Sequence, residues 1–361
     1  MSLDELRLKL SAVDRQIVEL IADRQRIVGE IGRNKRTDGA ATRDYAREKD
    51  VLDMGRAQAV ELGLDPGLAE NILRQLIMTS LASQERDRVI AEGKGDGQRV
   101  LIIGGAGKMG GWFVEFFASQ AYATIVADPG VEDGPGRHRN WTDAGVDFDV
   151  IVVAAPLAVS GRILAQLAVL KPRGVVFDIG SLKSPLIDGL QELRAAGCKV
   201  TSLHPMYGPD TRLLSGRHLI FCDVGCGEAT QAAKEMFSAT MVEKIDMSLE
   251  DHDRMIAYVL GLSHALNIAF FTALAESGEA VPILAKMSST TFDSQLLVSK
   301  AVAQDNPHLY YEIQHLNKFG LGPLDALIEA ASRIRELVAT GDEEGFVKLM
   351  DKGRDYFSMR G

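Results

Sequence analysis

The sequence predicts a multidomain protein of α and α/β class, with an all-helical N-terminal part, a central α/β part and an all-helical C-terminal part. Before residue 91 and after residue 246, apolar residues recur every three or four positions, which is the period of an amphipathic helix. Between them, short apolar runs alternate with helical stretches, which indicates a parallel sheet. We place the domains at residues 1–92, 98–245 and 246–361.

Composition restricts the class of protein. The chain has 361 residues, 46% of them hydrophobic and 25% charged, and a formal net charge of −10 that argues against a nucleic-acid partner. The N-terminus lacks an apolar signal region and no run approaches 18 apolar residues, so we expect neither export nor a membrane span. Three cysteines without zinc spacing indicate reduced thiols and no metal site, and we predict a cytoplasmic protein.

The first helix carries cations on its apolar face. Leu20, Val28 and Ile31 belong to a stripe with helical spacing, Arg24 fills its one gap, and Lys35 continues it. A cation on an apolar face is unfavourable unless an anion meets it. Pairing within the protein, or a long side chain that reaches the rim of the core, explains any one such residue equally well.

Further polar side chains interrupt the faces of the next two helices. Asp44, Arg47 and Glu48 share one helical face. Ser80 and Gln84 lie four residues apart within an apolar stripe. We expect these polar groups to point inward together. A set of cations, carboxylates, a hydroxyl and an amide suits a small polyanionic ligand that itself bears a hydroxyl.

Residues 1 to about 90 resemble the all-helical chorismate mutases. The resemblance implies roles for eight residues: carboxylate clamps at Arg7, Arg24 and Arg47, stabilisation of the ether oxygen by Lys35 and Gln84, contacts to the ring hydroxyl or to Lys35 from Asp44 and Glu48, and a carboxylate contact from Ser80. A pericyclic rearrangement needs only a confined conformer and electrostatic stabilisation. A helix of about 50 Å cannot close a core alone, and the family intertwines two chains, so we expect a homodimer.

The central region begins with a strand, a glycine turn and a helix. Gly105, Gly107 and Gly110 form G-x-G-x-x-G, which lets the backbone approach a pyrophosphate, although a tight turn alone also needs glycines. Asp128 ends the second strand, where a carboxylate accepts from ribose hydroxyls and repels a 2′-phosphate, so we predict a Rossmann-like domain that binds NAD. The predicted cofactor residues are Gly105, Gly107, Lys108, Met109, Gly110, Asp128 and Pro156.

A histidine ends a later strand, in the sequence SLHPMYGPD (202–210). His204 there is placed to take a proton from a hydroxyl while hydride leaves the carbon that bears it. A histidine that shapes the turn before Pro205 is the alternative. Ser181 follows the preceding strand, and we expect it to point into the same crevice.

From about residue 98 onward the chain resembles prephenate dehydrogenases, through GGxGxMG, D-x-x-S-x-K, HPM-aromatic-GPD, HD and a later histidine. Behind a mutase, this is similar to the bifunctional chorismate mutase/prephenate dehydrogenases of tyrosine biosynthesis, with a C-terminal dimerisation domain. The resemblance implies that His204 bonds the C4 hydroxyl of prephenate, that Ser181 orients it, and that hydride transfer to NAD and loss of carbon dioxide give 4-hydroxyphenylpyruvate. It also implies that His264 lines the substrate site, although a core histidine fits its spacing, and that His252 is structural or at the rim.

One position departs from the family pattern. Six residues before Pro307, where the family has an arginine that binds a prephenate carboxylate, this chain has Ala301. The adjacent Lys300 supplies a charge but not a bidentate fork. Arogenate, the 4-amino-4-deoxy analogues of chorismate and prephenate, and a ligand-sensing relative with one inactive site therefore stay open as alternatives to chorismate and prephenate turnover.

Overall fold

The structure is a computed structural model that describes residues 1–279 and 281–359. Its elements cluster into two compact units. The first unit comprises Met1–Ala155, Ile163–Ile179 and Leu190–Asp246, and the second comprises Pro156–Arg162, Gly180–Gly189 and Met247–Gly361.

Three helices begin the first unit: α1 spans Leu3–Thr37, α2 spans Tyr45–Glu61 and α3 spans Pro66–Ala91. The start of α1 is fixed locally by a capping box, in which Ser2 and Glu5 satisfy each other's backbone N–H groups. Helix α3 packs against both other helices. The predicted all-helical N-terminal part is therefore confirmed.

The N-terminal half of α1 lies largely in solvent in the single chain. Its large apolar side chains, including Leu6, Leu10, Val13 and Ile17, are exposed. An uncovered apolar stripe of this kind marks an interaction surface. It supports the expected homodimer, which stays a prediction.

An eight-stranded sheet follows, in the order β3-β2-β1-β4-β5-β6-β7-β8. The strands are β1 Arg99–Ile103, β2 Ala123–Ala127, β3 Arg137–His138, β4 Val150–Val153, β5 Val175–Asp178, β6 Lys199–Pro205, β7 His218–Cys222 and β8 Glu243–Met247. Strands β1 to β6 run parallel, and β7 is antiparallel to β6. The order reverses between β1 and β4, the switch point at which Rossmann-like folds bind their ligands.

Strands β1 and β4 at the centre of the sheet are nearly continuous apolar runs because helices cover the sheet. These helices are α4 Lys108–Ser119, α5 Leu157–Leu170, α6 Ile187–Ala195 and α7 Gly227–Met236. Phe113, Phe117, Phe177 and Phe237 are completely buried. They pack as an aromatic cluster around Phe113, with ring centroids 6.2–6.3 Å from its own. This part of the chain completes a core by itself.

The second unit is helical beyond β8. Helix α8, Leu249–Ile256, continues through a π-helical turn, Ala257–Leu262, into α9, Ser263–Glu276. Gln314 Nε2 donates to the carbonyl of Gly261 in that turn at 2.8 Å. The remaining helices are α10 Val281–Lys286, α11 Thr290–Gln304, α12 Pro307–His315, α13 Leu321–Thr340 and α14 Glu343–Ser358. The predicted fold class is confirmed, while the exact domain boundaries stay a prediction.

One helical stretch, Leu249–Glu276, is long and apolar enough to cross a membrane by length and composition, and 22% of its most apolar window is buried within the chain. The sequence interpretation did not single out this stretch, because Ser263, His264 and Asn267 interrupt its apolar runs. A single such helix is weak support for a membrane span, because a helix covered by other protein surface passes the same test.

Candidate active sites

Arg24 and Ser80 connect α1 to α3. Arg24 Nη1 donates to Ser80 Oγ at 2.6 Å and to the carbonyl of Leu76 at 3.2 Å. Burial lowers the pKa of Arg24 below its ordinary value, but an arginine stays protonated at neutral pH. Within the described chain these neutral groups are its hydrogen-bond partners, so its charge remains available to an anion.

Gln84 lies one turn beyond Ser80 and is buried. Its Nε2 donates to the carbonyl of Val28 at 3.3 Å, whereas its Oε1 has no hydrogen-bond partner among residues 1–279 and 281–359. A buried polar atom without a partner is unfavourable by about 1–3 kcal/mol. The side chain packs on Gly32, where a Cβ would lie 3.1 Å from Gln84 Cγ. This amide is therefore held next to α1 with capacity for a polar ligand.

Lys35 and Glu48 are anchored by the turn between α1 and α2. Lys35 Nζ donates to the carbonyl of Thr42 at 2.8 Å. Glu48 accepts from Arg43 Nε at 2.8 Å and from Arg43 Nη2 at 2.9 Å. The sequence interpretation missed Arg43, although it lies beside the residues that were selected.

Three other predicted mutase residues lie on the surface. Asp44 caps α2, because its Oδ1 accepts from the N–H of Arg47 at 3.0 Å. The Arg47 side chain is exposed, and so is Arg7, whose Nη1 is 3.5 Å from Asp4 Oδ1. Arg7 and Arg24 are 17 residues apart on one helix, or about 25 Å. The single chain therefore does not bring Arg7 to the others.

The glycine turn after β1 forms the predicted cradle. A Cβ on Gly110 would lie 2.1 Å from the carbonyl oxygen of Gly104, and Gly107 donates its N–H to that oxygen at 3.1 Å. Gly104 has φ +89°, and a Cβ there would lie 2.6 Å from the carbonyl oxygen of Ala154. The sequence interpretation did not select Gly104 as a cofactor residue. Its position directly before Gly105 was the signal that could have identified it. Glycine at Gly104 and Gly110 therefore lets the turn and the start of α4 pack closely against neighbouring backbone.

Helix α4 begins directly after this turn. Its N-cap is Gly107, and Lys108 and Met109 occupy its first turn. Gly107 provides no side-chain cap, so the first N–H groups and the positive end of the helix dipole are suited to an anion.

Asp128 follows β2 and reaches back to the glycine turn. Its Oδ2 accepts from the N–H of Ala106 at 3.2 Å, and its Oδ1 accepts from the N–H of Gly130 at 2.8 Å. The carboxylate therefore lies beside the cradle, as a ribose-binding acid requires. Pro156 follows β4 and is exposed, and it belongs to the second unit.

His204 is the penultimate residue of β6 and is 5% exposed. It pairs with Ile220 of β7, and the chain then turns through Met206 and Tyr207. Tyr207 packs on Trp112, with ring centroids 5.2 Å apart. His204 thus lies at the carboxyl end of a parallel strand, the edge at which such sheets bind ligands.

Ser181 lies in the second unit, in the loop that follows β5. Asp253 anchors this loop by accepting from the N–H of Lys183 at 2.8 Å and from the N–H and hydroxyl of Ser184. Burial opposes ionisation of Asp253, but these bonds and one from His252 prevail and lower its pKa. The sequence interpretation considered the histidine of the HD pair and missed its aspartate.

His252 is completely buried, and its Nδ1 is 2.7 Å from Asp253 Oδ1. The expectation that it is structural therefore fits, and the rim position does not. Complete burial of an imidazole requires hydrogen-bonded partners, which this pair provides.

His264 stacks on Tyr310, with ring centroids 4.1 Å apart. Burial lowers the pKa of His264, against an opposing effect from Asp305. Its Nδ1 is buried and has no hydrogen-bond partner in the described part of the chain. Lys300 is exposed on α11. The second unit therefore presents an imidazole that remains neutral near pH 7.

None of the three cysteines, Cys198, Cys222 and Cys226, forms a disulfide within the described part of the chain, and Cys198 and Cys222 are buried. Across residues 1–279 and 281–359, no group of three or more His, Cys, Asp or Glu side chains is arranged to hold a metal ion.

Three sequence-family models match the chain. Residues 6–85 match chorismate mutase type II. Residues 128–244 match the nucleotide-binding domain of prephenate dehydrogenase, and residues 248–352 match its dimerization domain. The matches follow one another in the order of the helical, α/β and helical parts.

Curated relatives match nearly the whole chain or about three quarters of it. The chain is 28% identical to the T-protein of Enterobacter agglomerans over 356 residues, which covers 98% of this chain and 93% of that protein. It is also 28% identical to a 4-amino-4-deoxyprephenate dehydrogenase of Streptomyces pristinaespiralis over 277 residues, which covers 73% of this chain and 92% of that protein.

A solved structure shares the fold over much of the chain. It is the prephenate dehydrogenase of Aquifex aeolicus in complex with hydroxyphenyl propionate and NAD⁺. The TM-score is 0.59 at 20% identity, and the match covers 73% of this chain and 98% of that one.

Proposed function

The chain belongs to the bifunctional chorismate mutase/prephenate dehydrogenases, and from this membership we propose that it rearranges chorismate to prephenate and oxidises prephenate with NAD in tyrosine biosynthesis. The main supporting observation is that one chain contains both sites. A buried, polar cluster in the mutase helices is followed by a glycine turn that has the carboxylate of Asp128 beside it. We further propose that the protein is a cytoplasmic homodimer.

We assign the mutase reaction to the cluster between α1, α2 and α3. Arg24 and Ser80 bind a carboxylate of chorismate, and Arg47 binds the other. Lys35 and the second N–H of Gln84 Nε2 donate to the ether oxygen, where negative charge develops as the C–O bond breaks. Such preorganised donors are each worth about 10²–10³ in rate. No proton needs to move, so rigid placement of these donors suffices.

The remaining mutase assignments concern Glu48, Asp44 and Arg7. Glu48 is assigned to the ring hydroxyl, and Asp44 to the same group or to Lys35. Arg7 is assigned to a carboxylate. Because about 25 Å of helix separates Arg7 from Arg24, we propose that Arg7 serves the site of a partner chain in the dimer.

The cradle fits a dinucleotide. Close packing at Gly104 and Gly110 shapes the turn, the N-terminus of α4 after Gly107 suits a pyrophosphate, and Asp128 suits the ribose hydroxyls of NAD. Lys108, Met109 and the other predicted glycines line the same turn, and Pro156 is assigned to the switch point. NAD, when bound, supplies the hydride acceptor.

We assign the proton transfer to His204. It takes the proton of the C4 hydroxyl of prephenate, and Ser181 orients that hydroxyl. Loss of carbon dioxide then restores the aromatic ring and makes the reaction irreversible. His264, neutral near pH 7, and Lys300 are assigned to substrate binding.

A second candidate is the same pair of steps on 4-amino-4-deoxy substrates. Two observations favour it: Ala301 stands where the family arginine is expected, and a 4-amino-4-deoxyprephenate dehydrogenase is among the relatives. Lys300 offers a point charge without the bidentate geometry of arginine.

The deciding experiment supplies prephenate, arogenate and 4-amino-4-deoxyprephenate separately with NAD and compares kcat/KM. The proposal predicts the highest value for prephenate. A higher value for the 4-amino substrate would replace it with the second candidate, and turnover of none would contradict both.

A further inference from the structure

We propose that Arg43 and Ser215 are positioning residues of the mutase site. Ser215, in the loop that follows the His204 strand, holds the Arg43 guanidinium in the pose that orients Glu48. The inference rests on the proposed mutase function and adds two residues to it, one of them from outside the mutase helices.

Arg43 uses all three of its guanidinium nitrogens. Nε and Nη2 form a fork on the two carboxylate oxygens of Glu48, at 2.8 and 2.9 Å. Nη1 donates to Ser215 Oγ at 2.8 Å. The guanidinium also lies over the Tyr45 ring, 4.4 Å from its centroid. A planar group bound on two edges and one face has a single orientation, so its carboxylate partner has one as well.

The ion pair between Arg43 and Glu48 is largely buried, and burial helps to fix its geometry. The side chains of Arg43 and Glu48 are 21% and 19% exposed. Exposed ion pairs readily exchange their mutual contacts for contacts with water, whereas buried, bidentate ion pairs keep one geometry. Since Glu48 is assigned to the ring hydroxyl of chorismate, the pose of Arg43 decides where the substrate hydroxyl is held.

Ser215 is a firm anchor because its own loop is held in place. The N–H of the preceding residue, Leu214, donates to Glu85 Oε2 at 2.7 Å, and the N–H of Met241 also donates to Glu85. Glu85 is 4% exposed and follows Gln84 directly on α3. Two consecutive residues of the loop, Leu214 and Ser215, therefore contact side chains of the mutase part, Glu85 on α3 and Arg43 in the α1–α2 turn.

Each of these side chains is next to a predicted mutase group. Arg43 binds Glu48, and Glu85 adjoins Gln84. The turn residue before Arg43, Thr42, accepts from Lys35 at 2.8 Å. A displacement of the loop would therefore be transmitted to Glu48 through Arg43, and the loop begins only a few residues after His204. This is the physical route by which the dehydrogenase part supports mutase geometry.

The test replaces Ser215 rather than Arg43 first, because Ser215 touches no proposed substrate group. In the full-length protein, Ser215→Ala removes only the hydroxyl and leaves the Arg43–Glu48 pair in place. We expect kcat/KM for chorismate to fall about tenfold, while kcat/KM for supplied prephenate with NAD stays within about twofold of wild type. Ser215→Thr, which keeps the hydroxyl, should recover mutase activity. Ser238→Ala, at an exposed serine of the same unit, is the matched control.

A double-mutant cycle adds a readout that a general loss of stability would not produce. Arg43→Ala should lower mutase kcat/KM more than Ser215→Ala, and adding Ser215→Ala to Arg43→Ala should lower it no further. Additive effects, unchanged mutase activity in Ser215→Ala, or a parallel fall of both activities would each overturn the inference. Absence of mutase activity in the wild type would instead contradict the proposed function.

Discussion

The two candidate sites are assembled differently. Arg24, Ser80 and Gln84 of the mutase cluster are fixed by hydrogen bonds between packed helices within one compact unit. The predicted dehydrogenase residues are divided, with His204 in the first unit and Ser181 in the second. Substitutions in the mutase cluster should therefore act locally, whereas the residues proposed for the dehydrogenase belong to two separately packed parts.

The largest separation of the two activities is expected from His204→Asn. It removes the proposed base, so dehydrogenase kcat should fall about 10³-fold or more, while mutase activity is retained. Chorismate consumption and NADH formation, measured on the same preparation, check this. Loss of both activities would instead make His204 a structural residue of β6.

Arg24→Ala tests the proposed mutase site. Removing this cation and its bond to Ser80 should lower mutase kcat/KM by about 10²–10³-fold, with dehydrogenase turnover of supplied prephenate unchanged. Circular dichroism confirms that the fold is intact. Arg33→Ala, an exposed arginine of the same helix, is the control, and normal mutase turnover in Arg24→Ala would contradict the assignment.

A smaller effect is expected at the cofactor cradle. Wild type should use NADP clearly less well than NAD, because Asp128 repels a 2′-phosphate. Asp128→Asn keeps a hydrogen-bond acceptor but removes the charge, so the NAD/NADP ratio of kcat/KM should fall by about tenfold. An unchanged ratio would show that another residue selects the cofactor. Mutase activity should not respond.

The smallest effect concerns pH. Burial lowers the pKa of His264 below its ordinary value of 6.5. Below that pH the unfolded chain binds more protons at this residue than the folded protein does, so the stability it contributes is present above pH 6.5 and lost on acidification. Unfolding midpoints measured in urea between pH 7.5 and 5.5 should therefore decline less in His264→Gln than in wild type. His308→Gln, at an exposed histidine of the same unit, is the matched control variant.

Local patterns made much of the fold predictable. Apolar periodicity identified the helical and α/β parts. Gly105, Gly107 and Gly110 identified the turn, because the backbone atoms that leave no room for a Cβ there are close in sequence. The family resemblance selected the mutase residues, of which Arg24, Ser80 and Gln84 come together in the structure. Asp44 shows a limit of prediction from residue type. An aspartate suits a helix N-cap as well as a ligand contact, and in this chain Asp44 caps α2.

Contacts between distant residues could not be predicted. Arg43 and Ser215 are 172 residues apart, and Glu85 and Leu214 are 129 apart. No periodicity connects such positions, because only tertiary packing brings them together. Asp253 was missed for the same reason, since its partners Lys183 and Ser184 belong to a different helix–loop region.

The most direct test of two linked activities in one chain is to supply chorismate and NAD alone and to quantify the products. The proposed function predicts that NADH and 4-hydroxyphenylpyruvate form in equal amounts, after prephenate appears, with no other enzyme added. Consumption of chorismate without NADH formation, or no consumption at all, would contradict it.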